Sequence, residues 1–296
     1  DNYLQKNYQL LLNHSFSTAW NLNVALHYTK GDGYYEEYKP GSSLVEYGLK
    51  PFNPDGTETN ESDLVRQKKM DNKFGGGVFS LNYTGNRLTA SLGGGLNQYR
   101  GNNFGKVTWV KNYIGNLSPE HEYYRNKSKK TDGNIYLKAN YDLTSTLSAY
   151  ADLQYRHIDY TIDGVNDKYD WNKNALRPLA VDKKFDFFNP KVGLNWNITP
   201  NHRLYASFSV AQKEPTRNNY TDGDPDSYPK AEKLLDYEAG YTFANPWLTA
   251  GANFYYMDYT DRENRVGEMV ELEDERIFGS ENSIWVKYPD IPKNLV

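Results

Sequence analysis

Aromatic and cationic side chains are concentrated in four long segments, 31–69, 101–131, 161–185 and 213–234. Aromatic rings stack on flat apolar groups and cations pair with negative charge, so the combination suits an anionic, partly aromatic metal chelate. The sequence therefore predicts a ligand-binding surface formed by Tyr34, Tyr35, Trp109, Tyr113, Trp171, Lys213 and Arg217. The alternative is an interfacial aromatic girdle with lipopolysaccharide contacts. That alternative explains the tyrosines at the segment edges better than the tryptophans far inside them.

Residues suited to catalysis or to a resident metal are few. The five histidines include no pair with the spacing of a helical zinc site. Asp222, Asp224 and Asp226 alternate in a glycine-containing segment, but the late glutamate of a calcium-binding loop is missing. Cysteine is absent, which excludes thiolate ligands and disulfides, and no Gly-x-Ser-x-Gly nucleophile motif occurs. We expect no enzymatic activity, no catalytic residue, no metal and no cofactor.

The composition is polar and rich in tyrosine. Hydrophobic residues make up 38% of the 296 residues, and 27 residues are tyrosine. A run of about 18 apolar residues, the mark of a transmembrane helix, does not occur. A membrane-spanning β-strand needs only about 9–11 residues with every second one apolar, so a polar composition is compatible with a membrane barrel. The net charge of -4 is too mild to suggest a nucleic-acid partner.

Alternation of apolar and polar residues is the dominant pattern of the chain. Between positions 20 and 28 the even residues are Trp, Leu, Val, Leu and Tyr, while the odd residues are mostly polar. This period of two is typical of a β-strand with one apolar face. The pattern predicts about ten strands, paired as successive antiparallel hairpins, near 3–14, 20–30, 72–84, 87–99, 132–143, 147–160, 186–198, 203–212, 235–243 and 247–260.

The connections between these strands alternate between short and long. Short turns are predicted at 15–19, 85–86, 144–146, 199–202 and 244–246, and the four aromatic-rich segments are the long links. Outer-membrane barrels have tight periplasmic turns and long outer loops. The sequence therefore predicts an all-β, antiparallel transmembrane β-barrel, present here in part. A soluble β-sandwich is the alternative, but it gives no reason for every long loop to lie on one side.

Charged residues in the predicted strands lie on the polar face. A charge at the middle of a bilayer costs about 2–4 kcal/mol, so these side chains are expected to face the barrel lumen. They are Lys138, Asp152, Arg156, Lys191, Arg203 and Glu238.

The order of several short motifs resembles the barrel of TonB-dependent receptors. The motifs are NYQL at 7–10, HYTKGDGYYE at 27–36, FSLNY at 79–83, KTDGNIY at 130–136, DLQYR at 152–156, FFNPK at 187–191, KEPTR at 213–217, DYEAGY at 236–241 and YYMDY at 255–259. The resemblance covers residues 1–261. Residues 262–296 read as a divergent, acidic C-terminal tail, and no plug domain is recognisable, so we expect the chain to be a fragment.

The resemblance implies a fold and a function. Receptors of this family form barrels of 22 strands around an N-terminal plug. They import nutrients such as ferric siderophores, haem or cobalamin across the outer membrane of Gram-negative bacteria, driven by the TonB complex. The implied partners are outer-membrane lipid and lipopolysaccharide, a metal chelate or other small nutrient, and the TonB complex through a plug not present in this chain. A passive outer-membrane channel or an adhesion barrel is the alternative function.

Overall fold

The computed structural model describes residues 1–50, 55–111, 113, 117, 121–223, 225–266 and 269–286. These residues form one antiparallel sheet of eleven strands, each hydrogen-bonded to the next one in sequence. The sheet is open, with β1 and β11 at its edges. The strands are β1 (Asn2–Ser15), β2 (Trp20–Ser43), β3 (Glu61–Thr84), β4 (Leu88–Val110), β5 (Glu122–Asp142), β6 (Leu147–Asp170), β7 (Ala175–Thr199), β8 (His202–Lys213), β9 (Glu232–Ala244), β10 (Leu248–Val266) and β11 (Met269–Val286).

Helical structure in the described residues is limited to short pieces. A 3-10 helix spans Leu44–Tyr47, α1 spans Arg217–Asp222, and a second 3-10 turn spans Pro225–Ser227. Across the described ranges, the helices are all too short to cross a bilayer.

In the part of the strands next to the short turns, the pairing register places the apolar residues of neighbouring strands on one face. A row of leucines runs directly across five neighbouring strands: Leu22, Leu81, Leu92, Leu137 and Leu153. Leu92 and Leu137 are 41% and 48% exposed. A belt of this kind would be costly in water, whereas lipid accommodates it. The register thus confirms the lipid face that the sequence predicts.

Aromatic residues border this apolar belt at both ends. Near the short turns, the rings of Trp20 and Tyr83 lie 4.8 Å apart, and Trp196 lies on the same face. At the opposite end, Tyr8 is paired with Tyr28. Two aromatic girdles flanking an apolar band are typical of an outer-membrane barrel.

Tyrosines of the inner face cover glycines of the neighbouring strand. Tyr136 lies directly opposite Gly93, and Tyr150 directly opposite Gly193. A Cβ atom at Gly193 would overlap the Tyr150 ring and would lie 2.9 Å from the carbonyl oxygen of Ala206. Glycine at these positions therefore lets an aromatic ring lie flat on the sheet.

The strands are longer than the sequence pattern predicts. β7 has 25 residues, more than twice what a tilted strand needs to cross a bilayer. Most of the first three predicted long links is strand, and β6 and β7 are joined by the four residues 171–174, whereas the fourth link, 213–234, is mostly outside the strands. The apolar alternation of the lipid-facing side stops where the lipid stops, but the backbone hydrogen bonds between the strands continue beyond it.

The short turns lie where the sequence predicts them. Gly85 N–H donates to the Leu88 carbonyl at 2.8 Å, and Thr144 N–H donates to the Leu147 carbonyl at 3.1 Å. At the other end of the chain the sheet continues past residue 261, because β10 extends to Val266 and β11 pairs with it.

Candidate functional site

The segment 214–231, between β8 and β9, folds back onto the inner face of β5, β6 and β7. Its helix α1 begins after Thr216, whose N–H donates to Asn219 Oδ1 at 2.6 Å in a capping box. Tyr220 of α1 is only 1% exposed. The inner-face residues around it are Ile158, Tyr160, Ile162, Leu179, Val181 and Phe187. This burial anchors the segment to the barrel wall, beyond the apolar belt.

Ion pairs connect this segment to two strands. Glu214 accepts hydrogen bonds from Lys130 Nζ at 2.5 Å and from Arg156 Nη1 at 3.0 Å. Arg156 also donates to Asp132, with Nη2 to Oδ2 at 2.5 Å. Two cations and two carboxylates therefore form one network on the inner face, in which positive and negative charges balance.

Glu214 carries its charge although it is only 9% exposed. Burial alone would raise the pKa of its carboxyl group, but the hydrogen bond from Lys130 and the charge of Arg156 outweigh burial, so the pKa lies below its ordinary value. Glu214 is therefore ionised at neutral pH and keeps segment 214–231 bound to Lys130 and Arg156.

Arg217 extends the network towards β5. Its Nη2 donates to Asn126 Oδ1 at 2.8 Å. Its Nη1 is buried and makes no hydrogen bond to any described residue. Burial raises the pKa of Tyr99 and Tyr160, and the positive charge of Arg217 opposes this rise. A buried guanidinium nitrogen with a free donor, next to aromatic rings, is suited to bind an anionic group.

A second cluster on the inner face surrounds the 3-10 helix at Leu44–Tyr47. Leu44 and Leu64 are fully buried there, and the rings of Tyr47 and Tyr123 lie 4.8 Å apart. Arg66 pairs with Glu37 at 2.8 Å, and burial raises the pKa of Tyr123. The two clusters therefore give the outer end of the barrel wall an ordered inner surface.

Polar contacts of β6 lie between the two clusters. The side chain of Asn166 on β6 donates to the carbonyl of Thr221 in α1, and Lys68 on β3 pairs with Asp167. These contacts connect β3, β6 and segment 214–231 across the inner face.

The residues predicted as ligand contacts divide between the two faces. Arg217 and Tyr113 belong to the inner clusters, and Tyr35 and Lys213 have inner-face register. Tyr34 and Trp109 have outer-face register; the Nζ of Lys69 lies 5.2 Å from the Tyr34 ring centre, and Trp109 is 45% exposed.

Trp171 lies in the β6–β7 turn, where its ring packs 4.8 Å from that of Tyr169. The structure thus brings Arg217 into the polar network and keeps Tyr34 and Trp109 away from it. Ligand contact by the seven residues stays a prediction.

Lys130, Asp132 and Glu214 are parts of the network that the sequence analysis did not select. Two of them could have been selected from the sequence, because residues 130 and 132 are charged and alternate in step with the polar face of their strand. Asp222, considered above for calcium, pairs with Lys168 at 3.0 Å. Asp224 and the side chain of Asp226 lie outside the described residues. Within the described ranges, no three carboxylate or histidine side chains converge as metal ligands.

Comparison with known proteins decides the family. The model of the family "TonB dependent receptor-like, beta-barrel" matches residues 1–274. The chain belongs to the TonB-dependent receptor β-barrel family. Barrels of this family lie in the outer membrane of Gram-negative bacteria, and this chain is therefore an outer-membrane protein. Proteins of the family are transport receptors, not enzymes. No curated protein matches the chain.

Solved structures of receptors and transporters share the fold. The ferric-catecholate import receptor Fiu from E. coli K12, in its closed form, is 14% identical, with a TM-score of 0.58 over 97% of this chain and 45% of that chain. The copper transporter OprC is 12% identical, with a TM-score of 0.70 and the same coverage. The ferric yersiniabactin receptor FyuA from Yersinia pestis is 12% identical, with a TM-score of 0.62 over 97% of this chain and 40% of that chain. The receptor chain described here spans less than half the length of these relatives.

Proposed function

We propose that the receptor containing this chain takes up a metal chelate, such as a ferric siderophore, through TonB-dependent transport across the outer membrane. Family membership over residues 1–274 is the observation that carries the proposal. Similar folds belong to a ferric-catecholate import receptor, a ferric yersiniabactin uptake receptor and a ferric citrate transporter. Haem and cobalamin are the other nutrient classes that a receptor of this family would take.

The chemistry of the inner surface at segment 214–231 favours an anionic ligand. Arg217 has a donor free among the described residues, and its charge acts on the hydroxyl groups of Tyr99 and Tyr160. Ferric chelates with catecholate or carboxylate groups carry negative charge and flat rings. A guanidinium with neighbouring tyrosines provides both a charged donor and a stacking surface for such a molecule.

The proposed partners follow from the same assignment. Outer-membrane lipid and lipopolysaccharide contact the apolar belt and the wall above it. The TonB complex engages the receptor through a plug that belongs to the rest of the receptor. A passive channel or an adhesion barrel is not favoured, because neither would need the energy input for which this family is built.

Uptake by the full-length receptor tests the proposal. Cells that lack other iron receptors are supplied with labelled ferric catecholate, ferric citrate, haem or cobalamin. We expect uptake of one class, and loss of that uptake in a strain without the TonB complex. Uptake that persists without TonB would identify a passive channel.

The role of Arg217 is tested in the same cells. Arg217→Ala is expected to reduce chelate binding about 10–100-fold, because a hydrogen bond to a charged group contributes about 1.5–3 kcal/mol. Lys184→Ala is the matched control, since Lys184 lies on the outer face, where it pairs with Asp159. Equal binding by both variants would remove Arg217 from the ligand site.

A further inference from the structure

A row of five cations crosses the outer face of the barrel wall. The pairing register places Lys6 opposite Lys30, Lys30 opposite Lys73, Lys73 opposite Arg100 and Arg100 opposite Lys129. All five side chains are exposed. Neighbouring strands lie about 4.8 Å apart, so the row is about 19 Å long. The sequence alone does not show this row, because its members come from five strands.

The row lies at the boundary between the lipid and the outer end of the barrel. Lys6 and Lys30 are each two residues beyond a girdle tyrosine, Tyr8 and Tyr28, on the same face. The short turns lie at the opposite ends of the strands. Since the short turns of outer-membrane barrels are periplasmic, the row faces the headgroups of the outer leaflet.

The row has no counter-charge within the described part of the protein. None of the five forms an ion pair there, and the only side-chain partner recorded is Gln98, which accepts from Arg100 Nε at 2.7 Å. Asp32 and Asp71 lie two residues farther out on the same face, and neither forms an ion pair with the five cations. Like charges placed directly opposite each other in a sheet are destabilising. An anion lying against the row would relieve this repulsion.

The same face of β6 and β7 provides a contrast. There Lys184 pairs with Asp159 at 3.6 Å, and His157 Nδ1 lies 2.7 Å from Asp186. Cations on that side are neutralised by the protein itself. Directly opposed cations without a protein partner thus lie together on β1–β5, as a local site requires.

We propose that this basic row, Lys6, Lys30, Lys73, Arg100 and Lys129, binds the phosphate groups of the lipopolysaccharide headgroup. Lipopolysaccharide is the lipid of the outer leaflet, and its phosphorylated sugars lie just above the acyl chains. Arg100, at the fourth place in the row, presents a planar fork that matches a phosphate, and the lysines add point charges on both sides. The proposal locates one of the lipid partners named above, and it rests on the barrel lying in the outer membrane, not on which nutrient is transported.

Lipid binding by the purified full-length receptor tests this site. The probes are phosphorylated lipopolysaccharide, the same lipid after removal of its phosphates, and phosphatidylglycerol, each added in mild detergent and detected by native mass spectrometry. The variant is the triple substitution Lys30→Gln, Lys73→Gln and Arg100→Gln, and the matched control is Lys184→Gln. A cation near an anionic membrane surface contributes about fivefold to binding, so three should contribute on the order of a hundredfold.

We expect the wild type and the Lys184→Gln control to retain phosphorylated lipopolysaccharide, and the triple variant to lose that affinity. Equal retention by the triple variant, or equal binding of the dephosphorylated lipid, would overturn the proposal. Equal binding of phosphatidylglycerol would replace it with a general attraction to anionic lipids. If the triple variant does not fold, the single variant Arg100→Gln replaces it in the same measurement, and we expect it to weaken binding about fivefold. Nutrient uptake is measured separately, so failure of this site and failure of the transport proposal remain distinguishable.

Discussion

The guanidinium of Arg156 on β6 donates to both carboxylate oxygens of Glu214, at 3.0 and 3.1 Å, although 58 residues separate them in sequence. Because Lys130 donates to the same carboxylate, a single residue connects segment 214–231 to β5 and β6. Arg156 and Glu214 thus join the barrel wall to the segment that carries Arg217. The first two predictions concern this connection.

Removing the Glu214 charge should loosen segment 214–231. Glu214→Gln removes the negative charge and replaces one of the two acceptor oxygens by an NH2 donor, so Arg156 and Lys130 lose their charged shared partner at a cost of about 1.5–3 kcal/mol. Hydrogen exchange of α1 in the full-length receptor should become about 10–100-fold faster. Glu61→Gln is the control, because Glu61 is exposed. Unchanged exchange in Glu214→Gln would show that the burial of Tyr220 is sufficient to dock the segment.

Acid should release the same segment. The pKa of Glu214 is lower in the folded protein than in the unfolded chain, so its contribution to docking is present at neutral pH and is lost as the pH falls through the folded pKa. A fluorophore on Asn218→Cys should report a constant signal at and above the ordinary glutamate pKa and a transition below it. The same label in Glu214→Gln should show no transition in that range, and a transition that remains would assign the effect to another group.

Arginine substitutions should separate the two faces of the sheet. Arginine at Leu153, Leu194 or Phe208 would be placed against lipid, at a cost of about 2–4 kcal/mol each, and should reduce assembly. Arginine at the neighbouring inner-face positions Gln154, Asn195 and Ser207 should be tolerated. The measurement is the heat-modifiable, folded band in outer-membrane fractions. Similar band intensities for the two sets would contradict the face assignment.

Two glycines of the sheet should differ in their tolerance of alanine. Gly193→Ala should destabilise the barrel, because the new Cβ would overlap the Tyr150 ring and press against the Ala206 carbonyl. Overpacking of this kind costs about 1–3 kcal/mol. Gly133→Ala should be neutral, since its Cβ would meet Leu96 at an ordinary 3.4 Å. The urea concentration at the unfolding midpoint compares the variants, and the double variant Gly193→Ala/Tyr150→Ala tests the ring as the cause.

Chemical labelling should distinguish the two ends of the strands. The chain contains no cysteine, so single cysteines at Asn172, in the β6–β7 turn, and at Ser145, in the β5–β6 turn, report cleanly. A membrane-impermeant maleimide added to intact cells should label the first and spare the second. Lysed cells provide the control for reactivity at both sites. Labelling of Ser145→Cys in intact cells would invert the topology.

The alternation of the sequence determined the strands, their faces and the short turns. Every second residue of a strand points to the same side, so residues 20–28 or 147–155 specify their lipid face without any knowledge of the neighbouring strands. The full strand lengths did not follow, because the lipid-facing apolar pattern ends at the bilayer, and in the extensions of β6 and β7 the apolar residues lie on the inner face instead. Backbone hydrogen bonds stabilise these extensions, and such bonds leave little trace in side-chain types.

The candidate sites depend on how neighbouring strands are aligned and on where segment 214–231 folds back over the sheet. Only the tertiary structure decided both. Glu214 meets Lys130 and Arg156 because segment 214–231 folds back over strands that lie 84 and 58 residues earlier in the chain. Lys6 to Lys129 form a row because four successive hairpins have the same alignment. Parity fixes which face a side chain occupies, but its height along the wall relative to other strands depends on every turn and bulge between them. That relative height decides which charges lie side by side.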